Sequence, residues 1–291
     1  MLLDILNKIR PGKSRFVLVH NHIFKNAGSS IDWALKKNFG DNFLDHRDDD
    51  LMRRGAAYLG PYLENQKNIR ALSTHHLTLP LPDISKVNIL QIMMFRHPIE
   101  RVTSVYSFER KQIEATTPGA IHAQKFNLND YILWRMRPDV GATIRNFHVL
   151  KSLPPKIQRL EAYTSEDVSS AKRYLKSIKL LGLVEKFDES MVLFEHVVGR
   201  LGRNIDLSYV KQNVNQDYLG LNREERINNL RSQIDDYTFN LLVANNEQDL
   251  ELYAWVEREF MARIKSIPDF NNRLDAFRKR CISNETSNHA D

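Results

Sequence analysis

Short apolar runs alternate with amphipathic stretches along most of the chain. Residues 16–23, FVLVHNHI, form an apolar run with β-branched residues that reads as a buried strand. It ends in FKNAGSS, after which Ile31, Ala34, Leu35 and Phe39 recur at helical spacing, with Ser29 or Ser30 as the natural N-cap and Gly40 just past the end. Two further runs, 69–74 and 88–95, read as strands. Pro98 stands at the first helical position after the second of them, and Ile99, Val102 and Tyr106 share one face of the helix it starts. The stretch 114–124, with Thr116, Thr117, Pro118 and Gly119, reads as a surface loop. Helices are predicted near 128–135, near 142–150 and over 166–176, and a buried strand over 178–184. The next helix carries Phe187, Met191, Phe194, Val198 and Leu201 on one face. Helical spacing resumes from 235 to about 264, and the last dozen residues are polar.

Strands that alternate with helices imply a parallel sheet with right-handed crossovers. The expected fold is α/β: a P-loop-like three-layer domain with a central parallel sheet flanked by helices. No repeat and no Pro-, Gly- or Ser-rich linker interrupts the chain, so residues 1–277 are expected to form a single domain, followed by a polar tail over 278–291.

Composition changes this picture only at its margins. The 291 residues are 42% hydrophobic and 27% charged, as in a globular protein, which excludes disorder over most of the length. Lys and Arg exceed Asp and Glu by 42 to 36, a net charge of +6 that suits an anionic ligand without naming one. A single cysteine, Cys281, excludes an intrachain disulfide framework and Cys-rich zinc modules. Neither a signal-peptide core nor a run of apolar residues long enough to span a membrane is present, so a cytoplasmic location is expected. Oligomeric state is left open.

Chemistry concentrates in two strand-to-helix loops, which in a parallel sheet lie at the carboxyl ends of the strands, where ligands bind. The first, Phe24-Lys25-Asn26-Ala27-Gly28-Ser29-Ser30, leads into a helix N-terminus, whose free N–H groups and dipole favour an anion. Lys25 adds a compact positive charge, Gly28 and Ala27 permit close backbone approach, and the Ser29 and Ser30 hydroxyls can donate to phosphate oxygens. The triphosphate pattern G-x-x-x-x-G-K-[ST] is absent, so the anion need not be a triphosphate. The second loop begins FRHPIERVTSVYSF. Arg96 leaves the strand end with a fork of donors for a phosphate, and Ser104 follows on the helix.

Together these loops resemble the sulfotransferases that use 3′-phosphoadenylyl sulfate (PAPS), especially the carbohydrate branch with heparan sulfate 2-O-sulfotransferase-like and bacterial members. FKNAGSS is similar to that family's 5′-phosphosulfate loop and FRHPIERVTSVYSF to its 3′-phosphate motif. The segment LGLVEKFDESMVLFEHVVG, 181–199, resembles a third family segment. The resemblance implies that Lys25 contacts the phosphosulfate, with Asn26, Ala27, Gly28, Ser29 and Ser30 cradling it, and that Arg96 and Ser104 bind the 3′-phosphate. Lys211, in VKQNVN, resembles a further donor contact. The family's general base is a histidine that occupies the place of THHLTLPLP, which implies His76, with His75 second. No metal is expected. The implied acceptor is a hydroxyl, of a carbohydrate by the branch resembled, and neither nucleic acid nor membrane is an expected partner.

Other groups invite other readings. His20 and His22 are two apart on a strand and share a face, a spacing that suits metal binding, and with His46 and Asp48, Asp49 and Asp50 a metal-dependent hydrolase can be drawn. The favoured reading packs both histidines beneath the first loop. The stretch with His122 and the segment Arg145-Asn146-Phe147-His148 are candidate acceptor contacts. A P-loop-type kinase and a non-enzymatic polyanion-binding module are the alternatives to sulfuryl transfer.

Overall fold

The computed structural model describes residues 15–155, 163–210 and 220–288. In chain order the elements are β1 (Arg15–Asn21), α1 (Gly28–Phe39), β2 (Phe43–Asp45), α2 (Asp49–Met52), α3 (Ala56–Asn65), β3 (Ala71–Thr74), β4 (Val87–Phe95), α4 (Pro98–Arg110), α5 (Pro118–Lys125), α6 (Leu128–Arg135) and α7 (Phe147–Lys151). There follow α8 (Ser165–Ser177), β5 (Leu180–Leu183), α9 (Phe187–Gly199), α10 (Arg223–Ser232), α11 (Asp236–Ala244), α12 (Glu247–Lys265) and α13 (Phe270–Asn288).

The five strands form one sheet in the order β2-β3-β1-β4-β5, every pairing parallel. This is the α/β three-layer architecture the alternating pattern predicts. Along β1, Val17 and Val19 join a core with Leu59 and Leu63 of α3 and Leu72 of β3. Because side chains alternate across a strand, His20 is on the opposite face, where it meets Asp32 of α1. The strand order reverses between β1 and β4, the place where doubly wound sheets bind ligands at their carboxyl edge. The loop that leaves β1 sits there.

Within the span read as one domain, the chain divides into two compact units. The first holds all five strands and comprises Met1–Phe95, Arg173–Asn213 and Val256–Asp291; the second is Arg96–Lys172 with Val214–Trp255. The second unit closes on itself through buried polar groups as well as apolar ones. Arg135 binds the Glu109 carboxylate at 2.5 Å and 2.7 Å, and Tyr131 donates its hydroxyl to the same group at 2.5 Å. Asp249 accepts from the His148 and Val149 amides at the start of α7. Such pairings leave no mark in hydrophobic periodicity, and no linker announces the boundary.

Several local expectations change. The stretch 114–124 is half helix: Thr117 caps α5 by accepting from the Ala120 amide, and Pro118 takes its first position. The span from 235 breaks into α11 and α12. Residues 278–288, expected in a polar tail, continue α13. Their charges are used within the first unit, Arg278 pairing with Asp188 at 3.1 Å and Arg280 with Glu195 at 2.7 Å and Asp206 at 3.0 Å.

Candidate functional site

The loop after β1 departs from ordinary backbone. Lys25 and Ala27 both have left-handed φ, 63° and 59°, whereas Asn26 between them does not. Alternation of this kind turns successive N–H groups toward one concavity, the arrangement that receives anions in phosphate-binding loops. Neither residue is glycine, so each left-handed turn costs about 1–2 kcal/mol, and strain of that size persists where the surroundings impose it. Asn26 is one of the restraints. It is 1% exposed, donates its side-chain amide to the Met94 carbonyl at 2.7 Å and its backbone amide to the Ile23 carbonyl at 3.1 Å. Asn26 therefore ties the loop to the end of β4. The helix begins at Gly28 with Ala27 as N-cap and no side-chain cap, so Ser29 and Ser30 lie in the first turn instead of before it. Ser29 is exposed and Ser30 buried.

Gly28 also has another purpose than ligand approach. A Cβ placed on it would lie 2.1 Å from the His22 ring. His22 thus packs directly beneath the loop, as does the group it belongs to. His20 Nδ1 lies 2.8 Å from Asp32 Oδ1 and 3.0 Å from Ser73 Oγ, and His22 Nδ1 lies 2.8 Å from Asp32 Oδ2. Burial alone would raise the Asp32 carboxyl, yet the two imidazoles outweigh it and hold the group well below the usual carboxylate range. Burial pushes His20 down. His20, His22 and Asp32 form the one group of metal-ligand type found among the described residues, their donor atoms within 4.8 Å of one another. Both histidine nitrogens face the carboxylate. The larger metal-site grouping does not assemble, since His46 bonds the Tyr58 hydroxyl at 2.8 Å, Asp48 caps α2 and Asp49 pairs with His76.

The two candidate bases follow β3 and have different surroundings. β1 and β3 run in parallel register to Asn21 and Thr74, and the His22 amide donates to the Thr74 carbonyl at 2.9 Å. One residue further, His22 and His75 are neighbours, their ring centroids 4.0 Å apart. His75 Nδ1 donates to the His22 carbonyl at 3.0 Å, and burial, with help from His22 and Arg47, pushes it down to about 3. His76 is a third exposed and sets Nε2 3.1 Å from the Asp49 carboxylate. In the sequence Asp49 is one of a run of three aspartates, and nothing local marks it as the partner of His76.

In the second unit, α4 starts with Pro98 as expected and buries Ile99, Val102 and Tyr106. Arg96 reaches Glu100 one turn on, with Nη2 at 2.8 Å and Nε at 3.3 Å from Oε1. Arg226 of α10 brings Nε to 2.9 Å from the same oxygen. Glu100 is 3% exposed, so this carboxylate lies beneath two guanidiniums. Ser104 is half-buried on α4. Arg101, next to Glu100, is buried, donates to the Thr143 carbonyl, lies over the Phe147 ring and is pushed down to about 10 by burial, with Arg96 among the charges that add to the shift.

The candidate acceptor residues divide. His122 stacks on Trp134 with centroids 3.8 Å apart and bonds the Pro118 carbonyl. His148 is fully buried against Asp249, which removes it from any surface role. Lys211 and its neighbours to Asn215 lie outside the described residues.

No helix among the described residues is long and apolar enough to cross a membrane. An uncharacterised protein of Archaeoglobus fulgidus is 30% identical over 257 residues, which cover 84% of this chain and 96% of that protein. Residues 13–255 match the sulfotransferase family, a span that includes both loops, both histidines and the Arg226 helix. This chain is a member of the sulfotransferase family.

Proposed function

We propose that the protein transfers the sulfuryl group of 3′-phosphoadenylyl sulfate to a hydroxyl, with a carbohydrate as acceptor. The observation that carries this reading is the strained loop of Lys25 and Ala27 at the carboxyl edge of β1, one strand from His75 and His76. Lys25, with the backbone of Ala27 to Ser30, takes the 5′-phosphosulfate. Arg96 and Ser104 take the 3′-phosphate, with Lys211 as a further donor contact. Asn26 serves by holding the loop's shape.

In the reaction the acceptor oxygen attacks sulfur in line, forming the new O–S bond as the bond from sulfur to the bridging phosphate oxygen breaks. The products are the sulfate ester and adenosine 3′,5′-bisphosphate. Lys25 stabilises charge that develops on the leaving phosphate, and the acceptor proton passes to His76. A general base works best with a pKa near the working pH. His75, at about 3, is too weak a base for an alcohol. His76 is partly solvated, and the Asp49 carboxylate fixes its tautomer and steadies the imidazolium that forms. A carbohydrate acceptor accords with the branch resembled, and a cytoplasmic location with the single cysteine.

Calorimetry with adenosine 3′,5′-bisphosphate and a sulfation assay across candidate glycans test this reading. His76→Ala should lower turnover about 10²–10⁴-fold with bisphosphate affinity preserved, and Lys25→Ala should weaken both. An absence of bisphosphate binding would refute the donor assignment; full activity in His76→Ala would move the base elsewhere.

A further inference from the structure

Arg96 is a cation already paired with an anion. Glu100, one turn along α4, holds its guanidinium at 2.8 Å, and together the two carry no net charge. A phosphate monoester near neutral pH bears about −1.5 to −2. A site made of Arg96 and Glu100 alone would offer such a group no net attraction and a buried carboxylate to repel it. A further cation beside Arg96 would restore the attraction.

Arg226 occupies that position. Its Nε lies 2.9 Å from the same Oε1 that Arg96 grips, an ion pair without hydrogen-bond alignment, so one carboxylate oxygen draws two guanidiniums together while Arg226 Nε makes no hydrogen bond among the described residues. Glu100 Oε2 has no hydrogen-bond partner among the described residues. The carboxylate thus organises the arginines through one oxygen without being satisfied through both. It is also buried more deeply than either partner, 3% exposed against 16% for the Arg96 side chain and 20% for that of Arg226. The helix that presents Arg226 is fixed at its start. Asn222 and Glu225 form a reciprocal capping box, Arg223 donates to the Tyr253 hydroxyl at 3.0 Å, and Arg226 Nη1 donates to the Leu221 carbonyl. Two forked cations around one carboxylate leave a surplus positive charge, the complement of a dianionic phosphate monoester.

We infer that Arg226 is a second guanidinium ligand of the donor's 3′-phosphate, held beside Arg96 by Glu100 as a positioning residue. This rests on the donor assigned above, and it makes Arg226 a determinant of selectivity for a 3′-phosphorylated nucleotide over one that lacks the group.

The test is calorimetric titration of the full chain with adenosine 3′,5′-bisphosphate and, separately, with adenosine 5′-monophosphate. Arg226→Gln should weaken bisphosphate binding about tenfold or more and leave the monophosphate within about twofold, since a charged fork to phosphate is lost only for the first ligand. A purely structural role would shift both ligands together, and that result, or no change in either, overturns the inference. Should Arg226→Gln fail to fold by circular dichroism, Arg226→Lys decides: a loss of about threefold for the bisphosphate alone is expected, because lysine keeps the charge and forfeits the fork. An unchanged preference in that variant refutes the role. Wild-type protein that does not prefer the bisphosphate overturns the donor assignment and the inference with it, whereas a preference lost in Arg96→Gln and kept in the Arg226 variants overturns the inference alone.

Discussion

Each of the two compact units contains a carboxylate held between two basic side chains, deeply buried at Glu100 and partly exposed at Asp32, which Arg47 also approaches at 4.0 Å. In the first, Asp32 lies between His20 and His22; in the second, Glu100 lies between Arg96 and Arg226. The difference lies in what the bases can do when disturbed. An imidazole can shed its charge and survive burial as a neutral group, while a guanidinium stays charged in any protein environment. The histidine group therefore braces the loop from beneath with rings that carry no permanent charge. The arginine group keeps a permanent surplus of positive charge, suited to an anion.

Deleting the two carboxylates should separate these roles. Glu100→Ala leaves two permanent cations facing each other in a partly dry site, a loss of about 2–4 kcal/mol, toward the lower side of the range for a broken buried pair because both guanidiniums reach some water. Asp32→Ala leaves two imidazoles that can remain neutral, and His20 keeps Ser73, so the cost is about 1–3 kcal/mol. Urea unfolding of both variants at pH 7 measures this, and an Asp32 variant more damaged than the Glu100 variant would reverse the argument.

Acid should act on the histidine group. Burial depresses His20 and takes His75 to about 3, so the folded chain binds fewer protons than the unfolded chain over the interval below the ordinary histidine value of about 6.5. Their contribution is fully present above that value and is lost as pH falls toward the folded one. Asp32, also depressed, adds a contribution present above the ordinary carboxylate value and lost below it. Stability should accordingly decline from pH 6.5 to pH 4. His75→Asn, which keeps a donor for the His22 carbonyl and removes the titration, should flatten that slope by something under about 1 kcal/mol per pH unit, one proton's worth reduced by the partial solvation of the ring. Urea midpoints at pH 4, 5, 6 and 7 give the slope directly. An unaltered slope would detach His75 from the acid response.

How much of this could be read in the sequence depends on range. The strands and the helices that follow them are local patterns, and β1, β4, α4, α6 and α8 fall close to where apolar spacing puts them. The two loops are legible for the same reason, each being a contiguous run of small and charged residues. The pairings that give the loops their properties are not local. Asp32 looks like any helix-surface aspartate until the fold brings β1 against α1. Arg226 lies 126 residues beyond Glu100 in a stretch, REERINNLRS, whose charges read as an ordinary solvated face. Asp49 is hidden among Asp48 and Asp50. The second unit's boundary is equally silent, because its closure depends on buried ion pairs such as Arg135 with Glu109. A hydrophobic pattern records where a chain hides from water, and these sites are built from groups that hide in spite of their charge.

The smallest expected effect concerns backbone, and it again sets the two units against each other. Among the helices that start from a residue in the left-handed region, α1 follows Ala27 with φ 59° in the first unit and α7 follows Asn146 with φ 43° in the second. Asparagine tolerates that conformation and here offsets its cost: its side chain donates to Gln248 at 2.7 Å and accepts from the Asp249 amide at 3.0 Å. Alanine has nothing to offer in return. Glycine at 27 removes a steric cost of about 1–2 kcal/mol and adds about 0.5–1 kcal/mol of chain entropy in the unfolded state, so Ala27→Gly should stabilise by up to about 1 kcal/mol. Asn146→Gly should destabilise by about 1–2 kcal/mol through its lost hydrogen bonds. Thermal unfolding of the pair reads the opposite signs. If the loop's left-handed turn serves the donor, Ala27→Gly should also bind adenosine 3′,5′-bisphosphate less tightly despite being more stable, since a freer loop must be ordered on binding. A variant both more stable and tighter would show that the strain is incidental to the anion.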